Sequence, residues 1–240
     1  MQGETAATIV VVAIAVGGVI LSWRRIAVQE RRRPAEWAAL GDELGLAYYP
    51  KDPFELPRKC SHAFFRLGSS QQARNMLHGT HRGRTLACFD YRYQQGKQGL
   101  GWMCALIQSP IVFTPLIIHP RTMVRLDDGL YGNRDLQLGA VEFDGAFVVR
   151  CPDAEFARSI AHPQMRDLLL ARKGVAIEAA DQSVLVYYSI DLSGLLDVSS
   201  GARELIELGC DFMDLLPDYL VADRGARLPE AQEPAEAPPN

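Results

Sequence analysis

Residues 73–93 read ARNMLHGTHRGRTLACFDYRY, and this stretch decides the fold class. Its second half alternates with a period of two, so that Phe89 and Tyr91 share one face while Arg84 and Arg92 share the other. Such alternation is typical of a half-buried antiparallel strand. The stretch therefore predicts a β-hairpin that buries Phe89 and Tyr91 and exposes Arg84 and Arg92.

The remaining elements are short strands and helices without the regular βαβ alternation of a parallel sheet. Pro110 and Pro115 are expected to separate two strands, and Asp144-Gly145 is a preferred two-residue hairpin turn. The predicted strands cover 46–49, 102–108 and 116–119, with hairpins at 141–150 and 175–188, and the predicted helices cover 34–45, 152–160, 164–172 and 201–216. The fold class is therefore α+β, a mainly antiparallel sheet with helices packed on one face.

An uncharged apolar run precedes this domain. Residues 5–22 read TAATIVVVAIAVGGVILS, and Trp23 extends the run to a length that can cross a bilayer. Five arginines lie within the ten residues that follow, whereas only Glu4 precedes the run. By the positive-inside rule, this asymmetry predicts a single-pass transmembrane helix over 5–23 in the plasma (inner) membrane, with its N-terminus outside.

A cleaved signal peptide is the rival interpretation of the run. It requires positive charge before the run and a small-residue cleavage site after it, and neither is present in residues 2–25. Within the run, Ala13 and Gly17 have the small-xxx-small spacing that allows close helix packing, which predicts a weak homodimer through these two residues.

The predicted span divides the chain into five parts. Residues 1–4 form a short outer tail, 24–33 a basic juxtamembrane connector, 34–222 a cytoplasmic α+β domain, and 223–240 a disordered acidic, proline-rich tail. Five scattered cysteines without a CxxC motif are expected to be reduced thiols in the cytoplasm.

Charge is unevenly distributed along the domain. Residues 58–97 contain eight Lys/Arg against Asp90 alone, while residues 127–218 contain seventeen Asp/Glu against seven Lys/Arg. Either the two halves neutralise each other within the fold, which the sequence favours, or the basic half faces anionic lipid. The lipid-surface hypothesis centres on the juxtamembrane arginines, which are Arg24, Arg25, Arg31, Arg32 and Arg33.

Motifs for catalysis, metal binding or cofactor binding are weak. Cys60-x-His62 lacks a second ligand pair at zinc spacing. Cys88, Asp90 and His78 could form a cysteine-based site, since a nucleophile needs a base and an orienting group, but strand alternation produces such neighbours freely. Apolar and charged residues of 84–93 lie on opposite faces, which does not fit a nucleic-acid stacking surface.

Three stretches together carry a resemblance to a known family. They are AEWAALGDELGLAYYP at 35–50, the hairpin at 73–93, and VEFDGAFVVRCPDAEFARSIAHPQMRDLLL at 141–170. The combination resembles an uncharacterised family of bacterial single-pass membrane proteins. The resemblance spans about residues 20–220 and implies the same membrane topology, and it implies no activity and no site residues.

Two functions are compatible with these observations. The favoured one is a non-enzymatic, membrane-anchored cytoplasmic module that binds a protein partner or the lipid surface. The alternative is a membrane-bound enzyme with a cysteine-based site near Cys88. No catalytic, metal or cofactor residues are assigned.

Overall fold

A computed structural model describes residue 28 and residues 30–123, 134–190 and 198–224. Six antiparallel strands form one sheet in the order β1-β2-β3-β4-β5, and β6 also pairs with β4. The strands are β1 (Ala47–Lys51), β2 (Ser69–His81), β3 (Arg84–Gln95), β4 (Gln98–Pro120), β5 (Phe147–Arg150) and β6 (Ala176–Ser189). The predicted α+β class with an antiparallel sheet is confirmed.

Strands β2 and β3 form the hairpin predicted from residues 73–93. Its turn is Arg82-Gly83, and both residues have positive φ, as the tight turns that match strand twist require. Phe89 and Tyr91 are fully buried and Arg92 is exposed, as predicted. The opposite face is also buried, at Leu86 and Cys88 among others, so the strand is covered on both faces rather than one.

Strands β4 and β6 are much longer than the sequence predicts. Pro110 and Pro115 were expected to end strands, but both lie within β4. The β4–β6 register shifts between Gln108 and Phe113 and again between Phe113 and Leu116, so neither proline has to donate to a regular ladder. In β6 the expected turn is instead an irregularity at Asp181, whose φ is +48°.

The longer helices cover one face of the sheet, whereas the short helix that contains Leu56 packs against the core on the other face. After α1 over residues 30–44 come α2 (Leu56–Lys59), α3 (Val141–Ala146), α4 (Ala154–Ile160), α5 (Pro163–Leu170), α6 (Val198–Asp214) and α7 (Asp218–Arg224). The main core lies between this face and the longest helices, α1 and α6. A Cβ at Gly209 would lie 2.2 Å from Cδ1 of Ile107, which shows how closely α6 approaches β4.

The other face of the sheet is covered by a turn of 3-10 helix, Ala63–Arg66, rather than by solvent. Phe64 packs there against five aromatic rings, including Tyr91, Trp102 and Tyr187. The buried carboxylate of Glu178 on β6 accepts hydrogen bonds from the backbone N–H groups of Ala63 and Phe64. The sheet therefore has two cores, one on each face.

Several predicted segments lie outside the described residues. These are the span over 5–23 with Ala13 and Gly17, most of the connector, and the tail from residue 225 onward. No helix in the described ranges is long and apolar enough to cross a membrane. Helix α7 extends to Arg224, two residues beyond the predicted end of the domain at 222.

Candidate functional site

Helix α1 is attached to the sheet by a buried ion pair. The guanidinium of Arg33 donates from Nε and Nη2 to the two carboxylate oxygens of Asp90 on β3, at 2.7 and 2.5 Å. Arg33 is 1% exposed and Asp90 4%. Two parallel N–H···O bonds fix the orientation of both side chains, so α1 is held in one position along β3.

Three more side chains complete this group, which we call the Asp90 cluster (Arg33, Trp37, Tyr48, Asn75 and Asp90). The indole N–H of Trp37 and the amide of Asn75 donate to Asp90 Oδ2 at 3.1 and 2.9 Å, and Tyr48 donates to Asn75 at 3.0 Å. Asn75 has φ of +49° within a register shift of β2. A bulge of this kind redirects a side chain, which here places an amide against the carboxylate.

The cluster perturbs the acid–base properties of its members. Burial alone would lower the pKa of Arg33, but the hydrogen bonds and charge of Asp90 outweigh it, so the pKa of Arg33 is raised. Burial, with the nearby Asp90 charge, raises the pKa of Tyr48. Arg33 is therefore permanently charged, and Tyr48 is a neutral hydrogen-bond donor at physiological pH.

The buried position of Arg33 corrects one part of the lipid-surface hypothesis. Helix α1 already includes residues 30–33, so the end of the predicted connector belongs to the folded domain. Arg33 faces the sheet and is unavailable to a lipid headgroup. Arg31 and Arg32 are exposed, as the hypothesis requires, and Arg24 and Arg25 lie outside the described residues.

Part of the basic half of the domain contacts the acidic half. Arg82 in the β2–β3 turn forms ion pairs with Glu207, Asp211 and Asp214 of α6, and Arg84 pairs with Asp214. Arg84 is therefore half-buried instead of exposed. These contacts support the interpretation that the two halves neutralise each other within the fold.

The proposed cysteine site at Cys88 is contradicted by its surroundings. Cys88 is completely buried, and burial with the nearby Asp90 charge raises the pKa of its thiol, so it stays protonated and unreactive. His78 pairs in register with Ala87, so its side chain lies on the face of the sheet opposite to Cys88, where its ring contacts Phe54. Asp90 is already engaged by Arg33.

Cys60 and His62 do not form a metal site with other described residues. No cluster of three or more potential metal ligands occurs in the described part of the chain. Burial and the charges of Asp52 and Asp181 raise the pKa of Cys60 to about 11, and burial lowers the pKa of His62 to about 4. Both side chains are therefore neutral at physiological pH.

A groove of about 970 Å³ is lined by the end of β3, the start of β4 and the end of β6, and we call it the Trp102 groove. Tyr93 and Trp102 stack in parallel in its wall, with ring centroids 6.3 Å apart. The loop Ala171–Val175 forms the opposite side and carries Lys173 on its rim. No sequence pattern predicts this groove, because its walls come from segments that are far apart in the chain.

The chain was compared with known proteins. No family model matches it, and no curated protein matches it. The fold is similar to the crystal structure of the mycobacterial trehalose monomycolate transport factor A, TtfA, with a TM-score of 0.60. The two chains are 14% identical, and the match covers 78% of this chain and 95% of that chain. At this identity the similarity establishes a shared fold.

Proposed function

We propose that this protein is a membrane-anchored, non-enzymatic binding module whose cytoplasmic domain acts through a protein partner or the lipid surface. The observation that carries the proposal is the Asp90 cluster. It binds α1, the helix that follows the predicted span, to the centre of the sheet through Arg33. A span joined to a helix fixed in this way would hold one end of the domain at the membrane.

The fold similarity supports a role in lipid handling. By its name, TtfA is a transport factor for trehalose monomycolate, which is a glycolipid. We infer that the present chain uses the same architecture as an accessory protein in a membrane process. A second copy of this chain, packed through Ala13 and Gly17 in the span, is a further partner that the sequence suggests.

Topology is the first test of this proposal. A reporter enzyme that is active only outside the cytoplasm, fused after Arg224, is expected to stay inactive, because the arginines after the span keep that side in the cytoplasm. A reporter that is active only in the cytoplasm, fused at the same position, is the matched control and should be active. The reverse pattern, or a mature chain that starts near residue 23, would contradict the proposal.

Lipid contact by the exposed arginines is the second test. In vesicles with a photoactivatable anionic lipid, the full chain should be labelled on the peptide that contains Arg31 and Arg32. The double substitution Arg31→Gln/Arg32→Gln should reduce that labelling about thirtyfold, because each arginine near an anionic surface contributes about 1 kcal/mol and two are removed.

The matched control is Arg158→Gln/Arg166→Gln, which removes two charges from α4 and α5 and should leave the labelling of α1 unchanged. Substitutions are preferred to a chain shortened to Pro34, because the shortened chain would lose Arg33 and with it the Asp90 cluster. All four substitutions leave Arg33 in place. Equal labelling of the two double variants would show that Arg31 and Arg32 influence topology only.

A further inference from the structure

We propose that the Trp102 groove binds the acyl chain of a single-chain amphiphile taken from the membrane. The proposal rests on the proposed function in one respect, because the membrane anchor brings the groove to the bilayer. It goes further by assigning a ligand class and a site that lies apart from the juxtamembrane arginines.

The walls of the groove have the chemistry that an acyl chain requires. The described apolar lining consists of Leu67, Tyr93, Leu100, Trp102, Pro120, Met123, Val175 and Tyr188. Burial of methylene groups against such a surface is the main favourable contribution to binding of an acyl chain. The volume of about 970 Å³ lies at the upper end of the range for small-molecule pockets, and a lipid tail can fill such a groove where a folded partner cannot.

Polar groups lie at the same groove and suit an amphiphile's head. The indole N–H of Trp102 is buried beside the Tyr93 hydroxyl and is not exposed to the groove. An ester or carboxyl oxygen of the ligand would therefore take its hydrogen bonds from side chains at the rim. Gln95, Gln98 and Lys173 supply such donors.

Lys173 gives the rim an accessible positive charge. Its ammonium group is 3.7 Å from the carboxylate of Glu142, and both side chains are mostly exposed, so this ion pair is weak. The other rim cation, Arg172, is paired with Glu204 at 3.1 Å. An anionic carboxylate head therefore fits the rim better than a cationic head does, and we assign a long-chain fatty acid as the representative ligand.

The groove is continuous with the surface beside the start of α1. A neighbouring cleft is lined by Glu30 and Arg92, which form an ion pair, and it shares Tyr93, Leu100 and Ser189 with the Trp102 groove. Because α1 follows the predicted span, this cleft would lie on the membrane side of the domain. It provides a path along which a lipid tail could pass from the bilayer into the groove.

The test uses the full chain in nanodiscs with a fatty acid that carries a photoactivatable diazirine in its tail. Labelling is expected on the peptides that contain Leu100, Trp102 and Val175. Ser189→Trp should fill the groove and reduce this labelling about tenfold, the effect of leaving about two methylene groups unburied. Ser189 is exposed and outside both cores, so the substitution should leave the fold intact.

Val112→Trp is the matched control, since Val112 is an exposed residue of β4 outside the groove. It should leave labelling unchanged, and Leu100→Asp should reduce it as Ser189→Trp does. Thermal unfolding of each variant identifies any that fails to fold. Unlabelled palmitate should compete with the probe, whereas glycerol 3-phosphate should not, which separates tail binding from headgroup binding.

Three outcomes would overturn the inference: labelling that Ser189→Trp and Leu100→Asp leave unchanged in folded protein, competition by glycerol 3-phosphate alone, or labelling confined to peptides outside the groove. Failure of the topology test would contradict the proposed function, whereas loss of groove labelling in a correctly inserted chain would contradict only this inference.

Discussion

Substitution of Arg33 by alanine is expected to destabilise the domain by about 3–5 kcal/mol, because it leaves the carboxylate of Asp90 buried without its cationic partner. Asp90 is 4% exposed, and its remaining donors, Trp37 and Asn75, are neutral. The free energy of unfolding, measured by denaturant titration of the variant and the native chain, tests this expectation.

Arg32→Ala is the control for this prediction, because Arg32 is the exposed neighbour of Arg33 and its loss should change stability by no more than about 0.5 kcal/mol. The double variant Arg33→Ala/Asp90→Asn should be less destabilised than the sum of the two single variants, since no buried charge is left unpaired. Additive single effects, or a loss below about 1 kcal/mol for Arg33→Ala, would show that the ion pair does not hold α1.

Substitution of Phe89 by alanine is expected to cost about 3–5 kcal/mol, as truncations of large buried side chains do. Phe89 is fully buried in the core that faces the 3-10 turn, and its ring stacks on Phe65 at a centroid distance of 6.2 Å. The truncation would leave a cavity between β4, which is adjacent to β3 in the sheet, and the 3-10 turn that covers this face. The cavity cannot close unless both elements move.

The matched control for this prediction is Gln94→Ala, at an exposed position of the same strand, which should be neutral within about 0.5 kcal/mol. Thermal or denaturant unfolding compares the two variants directly. A cost below about 1 kcal/mol for Phe89→Ala would mean that this face of β3 is loosely packed.

The central hairpin was predictable because its local signals agree with its tertiary environment. Alternation along 84–93 favours a strand, and the observed Arg82-Gly83 turn lets this strand pair with the preceding arm, so the local pattern and the fold agree. Alternation does not reveal how many faces are covered. The cover over Phe89 comes from Phe64 and Phe65, which lie in a proline-containing segment with no strong pattern of its own.

The mispredicted elements fail where tertiary contacts override local turn signals. Asp144-Gly145 predicts a hairpin, but the Asp144 carboxylate accepts hydrogen bonds from the backbone N–H groups of Leu138, Gly139 and Ala140. It therefore stabilises the loop before α3, and the segment forms a helix. Pro110 and Pro115 would end a strand with regular pairing, because proline cannot donate a backbone hydrogen bond. The pairing of β4 with β6 is irregular around both prolines, so the strand continues.

The candidate site was only partly predictable for a related reason. Arg33 belongs to a run of arginines whose composition indicates a membrane surface, and sequence alone does not show which arginine is buried. One available signal was Asp90, the single acidic residue among residues 58–97, placed between Phe89 and Tyr91. A carboxylate between buried aromatic residues needs a cationic partner, but the sequence does not show which Lys or Arg is that partner.

The Asp90 cluster also constrains the order of events during synthesis. Arg33 and Asp90 are 57 residues apart in the chain. At translation rates of about 5–20 residues per second, Asp90 is made roughly 3–11 s after Arg33. Throughout that interval the nascent chain carries the guanidinium of Arg33 without the carboxylate that receives it. The apolar run at residues 5–22 is synthesised before both Arg33 and Asp90. A ribosome-bound chain would therefore have the predicted membrane-spanning segment complete before the domain can close around its first helix.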